Sequence, residues 1–70
     1  MGIMDSIVAG LRAAEVASKI STGGELKKVL RIAKDNKWTL GESKCREIKE
    51  KVKEIAYEKG ITIPDEDYDF

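Results

Sequence analysis

The chain has 70 residues, with 13 Lys+Arg against 13 Asp+Glu, one cysteine and no histidine. One domain follows from that length, because a single core of this size rarely supplies more than about 3–5 kcal/mol. An internal disulfide needs a second cysteine, and zinc sites and histidine acid–base chemistry need side chains this chain lacks, so no metal, no cofactor and no enzymatic activity are expected.

Taken in chain order, residues 3–20 predict a first helix. Ile3, Met4, Ile7, Val8, Leu11 and Ala14 fall within an arc of about 140° at helical spacing. Val16 and Ile20 lie on the other side, so the helix either bends or ends near Gly10 to Ala14, or is contacted on two faces. Ala9, Gly10, Ala13, Ala14 and Ala17 give it slim flanks that allow close helix approach. Ser21-Thr22-Gly23-Gly24 reads as a turn, and Thr22 with Glu25 fits a capping box that starts a second helix. Leu26, Val29, Leu30 and Ala33 set that helix over 24–36, ending at Asn36. Thr39 with Glu42 repeats the capping box after Trp38. Cys45, Ile48, Val52 and Ile55 follow at spacings of 3, 4 and 3, which sets a third helix over 40–59. Glu42–Arg46 and Glu47–Lys51 are i,i+4 pairs in the favourable order. Gly60 stands where a left-handed cap belongs, with Ile61 folding back on Ala56.

Ile61-Thr62-Ile63-Pro64 alternates like a strand but has no partner strand, so it is expected to lie extended across the helices. The predicted architecture is all-α: a small three-helix bundle over 1–64 with a short extended, acidic, mobile C-terminal tail over 65–70. Its expected core is Ile7, Leu11, Leu26, Val29, Leu30, Ala33, Trp38, Ile48, Val52 and Ile55. Cys45, on the apolar stripe and without a histidine to activate it, reads as a small buried hydrophobe.

The zero net charge conceals a sharp division. Residues 25–53 hold ten bases and five acids, net +5, whereas 64–70 carry net −4. Lys27, Lys28, Arg31 and Lys34 form a candidate anion or nucleic-acid face on the second helix, which Lys44, Arg46 and Lys51 could extend along the third. Two short helices joined by a turn resemble helix-turn-helix readers. The acids interleaved on the third helix oppose that reading, since they repel phosphates.

The tail, Asp65, Glu66, Asp67, Tyr68, Asp69 and Phe70, is the candidate partner-binding element. It resembles the acidic C-terminal tips of single-stranded DNA-binding proteins, including phage ones, which finish in acids and a terminal Phe. The resemblance implies docking on replication and repair partners, Phe70 entering a pocket while Asp65, Glu66, Asp67 and Asp69 meet bases. It covers only the last seven of the 70 residues. The rest departs from that family, with no five-stranded barrel pattern and no spread of stacking aromatics. The other reading is that Tyr68 and Phe70 fold back on the chain's own basic helices.

At the N-terminus, Met1-Gly2-Ile3-Met4-Asp5-Ser6 matches the myristoylation pattern, and it resembles amphipathic membrane-active peptides. Asp5, Arg12 and Glu15 leave it little cationic character, so membrane association is not expected. No apolar run spans a bilayer and no signal-peptide pattern is present, so the expected location is cytoplasmic. The leading functional expectation is a non-enzymatic interaction module, an adaptor, inhibitor or regulator docking on a larger protein, in the style of phage and mobile-element accessory proteins. The alternatives are a small DNA-binding regulator and a helical component that self-assembles, with a homodimer among the expected states.

Overall fold

The computed structural model describes residues 2–70; Met1, which opens the acylation pattern, lies outside the described residues. The fold is all-α. The helices are α1 (Ile3–Val16), α2 (Lys19–Asp35), the single turn α3 (Lys37–Leu40) and α4 (Glu42–Lys59), and a 3-10 turn follows at Asp65–Tyr68. The expected three helices are α1, α2 and α4. Among them α2 is central, packing against α1, α4, α3 and the 3-10 turn.

The core draws Ile7 and Ala14 from α1, Leu26, Val29, Leu30 and Ala33 from α2, and Ile48, Val52, Ile55 and Ala56 from α4, with Ile63 closing it from the C-terminal side. The slim flank of α1 has a definite use. A Cβ added at Gly10 would stand 2.5 Å from Val29 Cγ2, so the missing side chain sets how closely α1 and α2 cross. Leu11 packs against the cluster but is only half-buried.

The boundary between α1 and α2 differs from expectation. The break falls at Ala17 and Ser18, not at 21–24, and the Ser-Thr-Gly-Gly run lies inside α2. The physical reason is Thr22. It is fully buried, and its hydroxyl lies 3.1 Å from the Ala14 carbonyl and 2.9 Å from the Ser18 carbonyl. The Lys59 ammonium donates to the Ala17 carbonyl at 2.8 Å. At Ala14 and Ala17 these donors reach carbonyls at the end of α1, whereas the Ser18 carbonyl also accepts the Ser21 and Thr22 N–H groups that open α2. Thr22 therefore seals α1 and does not cap α2, so the Thr22–Glu25 capping box is not formed. Nor does either reading of Val16 and Ile20 hold: α1 runs unbroken to Val16, and both side chains are exposed.

Trp38 is the second correction. It is 90% exposed and not part of the core. Asn36 ends α2 with its side-chain amide donating to the Ile32 carbonyl at 2.8 Å, and the chain turns at once into α3. Leu40 packs inward from α3. Two residues earlier on a helix is about 200° around it, so Trp38 points outward. Gly41, with φ +85° and ψ 165°, then separates α3 from α4 in a region of backbone space open essentially to glycine. Thr39 consequently sits within α3, and its capping box with Glu42 is absent.

The α4 expectation agrees with the structure. Cys45, Ile48, Val52, Ile55 and Ala56 are its buried residues, and Gly60 takes the left-handed conformation, with φ +69°. The Ile61 N–H donates to the Ala56 carbonyl at 3.0 Å, as a Schellman end requires. The expected i,i+4 ion pairs are replaced. Among the described residues, Lys44 pairs with Glu47 at 3.3 Å and Lys51 reaches Glu15 of α1 at 3.7 Å. Residues Ile61–Pro64 carry no regular structure, with Ile63 buried, and the acidic segment coils into its 3-10 turn instead of continuing extended.

Candidate interaction surface

Two grooves flank the C-terminal segment, and the sequence places a different chemistry on each. The first, about 550 Å³, lies along α2 and is lined by Lys27, Leu30, Arg31, Lys34 and Asp35, with Pro64, Glu66 and Asp67 from the C-terminal segment. Three of the four bases singled out on α2 thus share one flank. Lys28 is exposed but does not line the groove. No ion pair within 4 Å joins a C-terminal carboxylate to this flank among the described residues. Glu66 and Asp67 line the basic groove without pairing directly with its cations.

The second groove, about 510 Å³, lies where α3 meets α4. Its lining is Lys37, Trp38, Gly41, Glu42, Cys45, Arg46, Lys49 and Phe70. Local structure explains each contribution. Gly41 swings α3 aside so that the Trp38 indole faces solvent, and the Lys37 ammonium stands 5.6 Å from the indole centroid. Cys45 is buried in the floor, its thiol 3.9 Å from the Lys37 carbonyl. Arg46, Lys49 and Lys53 recur at helical spacing and so share one flank of α4.

The C-terminal segment sorts its side chains between these surfaces. Its carboxylates Glu66 and Asp67 face α2, while its rings face α4. Lys53 Nζ lies 4.9 Å from the Tyr68 ring centroid, and Lys49 Nζ lies 4.4 Å from that of Phe70. Both distances are within the range of a favourable cation–π contact. Lys49 also donates to a main-chain oxygen of Phe70. Burial of the Tyr68 phenol, reinforced by the nearby Asp65 and Asp67 carboxylates, raises its pKa above the usual tyrosine value.

Asp65 and Asp69 are exposed and make none of these ring contacts. Of the bases proposed to extend the positive surface, Arg46 lines a groove, whereas Lys44 and Lys51 are engaged by Glu47 and Glu15. Sequence reasoning missed Trp38, Lys49 and Lys53 as surface elements. The available signal was the 46, 49, 53 recurrence of bases on one side of α4, together with a tryptophan that fits neither neighbouring apolar stripe. No helix among the described residues is long and apolar enough to cross a membrane. Compared with known proteins, the chain matches no family model, no curated protein and no solved structure.

Proposed function

We propose that the chain is a non-enzymatic interaction module that docks on a larger protein, with Trp38 as the anchor of the docking surface. The supporting observation is the 90% exposure of that indole at the mouth of a groove with Lys37, Arg46 and Lys49. Exposing a tryptophan has no folding benefit, and Trp with Arg is the pairing most enriched at interface hot spots. Because Trp38 touches little, Trp38→Ala should change stability by no more than about 0.5 kcal/mol. The same substitution should cost about 2 kcal/mol or more of binding if the indole is an anchor. Affinity capture from the native host, with wild type and Trp38→Ala compared by quantitative mass spectrometry, tests the assignment. Equal recovery of every captured protein by the two chains would overturn it.

A second reading has its own support, from the convergence of Lys27, Arg31 and Lys34 on one groove that Glu66 and Asp67 also line. On that reading the α2 flank binds nucleic acid and the C-terminal carboxylates compete for it. Glu66→Gln/Asp67→Asn should then tighten binding of a duplex oligonucleotide, with affinity falling steeply as salt rises. Unchanged affinity, or a flat salt response, counts against it.

A further inference from the structure

We propose that the groove between α3 and α4, continued along the Lys49/Lys53 flank, is a binding site for an acidic peptide segment carrying aromatic residues on a partner protein. The chain's own residues 68–70 occupy part of it in cis. The inference rests on the docking reading above and gives the partner its chemistry.

Three observations carry it. The first is geometric. Lys49 and Lys53 stand one helical turn apart, about 6 Å along α4, and each meets an aromatic ring, Phe70 and Tyr68 respectively. The later tail residue meets the earlier lysine, so the segment runs antiparallel to α4 and leads towards Trp38. The second is conformational. Asp69, at φ −82° and ψ 79°, sits at the centre of an inverse γ-turn closed by the Phe70 N–H on the Tyr68 carbonyl at 3.0 Å. That turn presents both rings to α4 while leaving the Asp69 carboxylate exposed. An aromatic–acid–aromatic triplet is therefore a ligand this flank already accepts. The third is electrostatic complementarity. Beyond Phe70 the groove offers the Trp38 ring with Lys37 and Arg46 against the one carboxylate of Glu42, a surface on which cations outnumber acids and which suits further aromatic and carboxylate groups.

A cis segment of this length holds an effective concentration of about millimolar, so it competes with any partner segment of similar sequence. The site is self-occupied, and a partner must displace Tyr68 and Phe70 to use it.

The test uses the full-length chain and a fluorescent synthetic peptide, Pro-Asp-Glu-Asp-Tyr-Asp-Phe, corresponding to residues 64–70. The variant Tyr68→Ala/Phe70→Ala clears the flank, and far-UV circular dichroism checks that its helices remain. Phe70→Ala alone serves if the double variant fails to fold. The cleared chain should bind the peptide at least tenfold more tightly than wild type does. Adding Lys49→Glu, or replacing the peptide's phenylalanine by alanine, should abolish that gain. A folded, cleared chain that binds the peptide no better than wild type overturns the proposal. So does displacement of the peptide by oligothymidylate at lower concentration than by unlabelled peptide, which would assign the groove to single-stranded nucleic acid. Peptide binding that survives while Trp38→Ala still recovers every host protein would remove only the anchor assignment. Loss of host capture with no peptide binding would remove only the acidic-aromatic site.

Discussion

The Thr22 hydroxyl does work that its neighbours in sequence do not suggest. Buried completely, it lies within hydrogen-bonding distance of the Ala14 and Ser18 carbonyls at the point where α1 gives way to α2. Thr22→Val keeps the shape but removes the donor, leaving the buried Ala14 carbonyl without its hydroxyl partner at a cost of about 1–3 kcal/mol. Thr22→Ser keeps the donor and should cost less, so urea denaturation of the two variants separates hydrogen bonding from volume. Equal losses would mean the hydroxyl is dispensable. Two residues on, Gly24 stands inside α2 with nothing within 4 Å of where a Cβ would go. Gly24→Ala should accordingly stabilise the chain by about 0.5–1 kcal/mol through helix propensity and the unfolded state. That gain corresponds to a melting temperature raised by roughly 2–8 °C in a domain of this size. An unchanged or lower melting temperature would show that residue 24 is not in an ordinary helical environment.

At the scale of elements, legibility followed the strength of the periodic signal. The stripe of Cys45, Ile48, Val52 and Ile55 identifies α4 because side chains three and four apart share a face, and all of them are buried. Local chemistry misled where tertiary packing overrode it. Ser21-Thr22-Gly23-Gly24 has the composition of a turn, yet burial of Thr22 draws the run into α2 at the expense of propensity. Trp38, expected in the core, is exposed. The inward position is taken by Leu40, and the glycine-only backbone of Gly41 orients the intervening turn. The α4 stripe also bears the largest share of risk. Ile48 and Val52 are 3% and 0% exposed, and truncation of such a residue costs about 2–5 kcal/mol. A core of this size supplies little more than that in total. Ile48→Ala is expected to leave the isolated chain largely unfolded near room temperature by circular dichroism. A melting temperature within a few degrees of the parent would contradict its placement in the core.

Across the whole molecule, charge division and shape act together. The Cα trace measures 31 × 27 × 15 Å, and the C-terminal segment lies between the basic flanks of α2 and α4. The acidic and aromatic composition of residues 65–70 singles them out in the sequence, and of their two readings the structure shows Tyr68 and Phe70 folded back on the chain's own basic helix. The receiving surface was less legible, because Lys49 and Lys53 are separated in sequence by acids and other bases that helical geometry turns elsewhere. The docked segment carries a pH signature. The folded chain holds the Tyr68 proton more tightly than the unfolded chain, despite the opposing Lys53 ammonium over the ring. An unfolded tyrosine releases its proton near pH 10, roughly. The contribution of the docked phenol is therefore complete below that pH and is lost as pH rises through the higher folded-state pKa. Tyrosinate absorbance of a Tyr57→Phe variant, in which Tyr68 is the remaining tyrosine, should show a midpoint above about 10. A midpoint at or below that value would indicate a solvated ring.

The missing side chain at Gly10 has a consequence for how this sequence can drift. Only 2.5 Å separates a hypothetical Cβ there from the Val29 methyl, and Val29 is fully buried with a stiff, branched side chain. Neither position can change size alone without opening a void or forcing the helices apart. The two are a size-coupled pair: a lineage that gains alanine at position 10 is expected to lose bulk at position 29, or to retain glycine indefinitely.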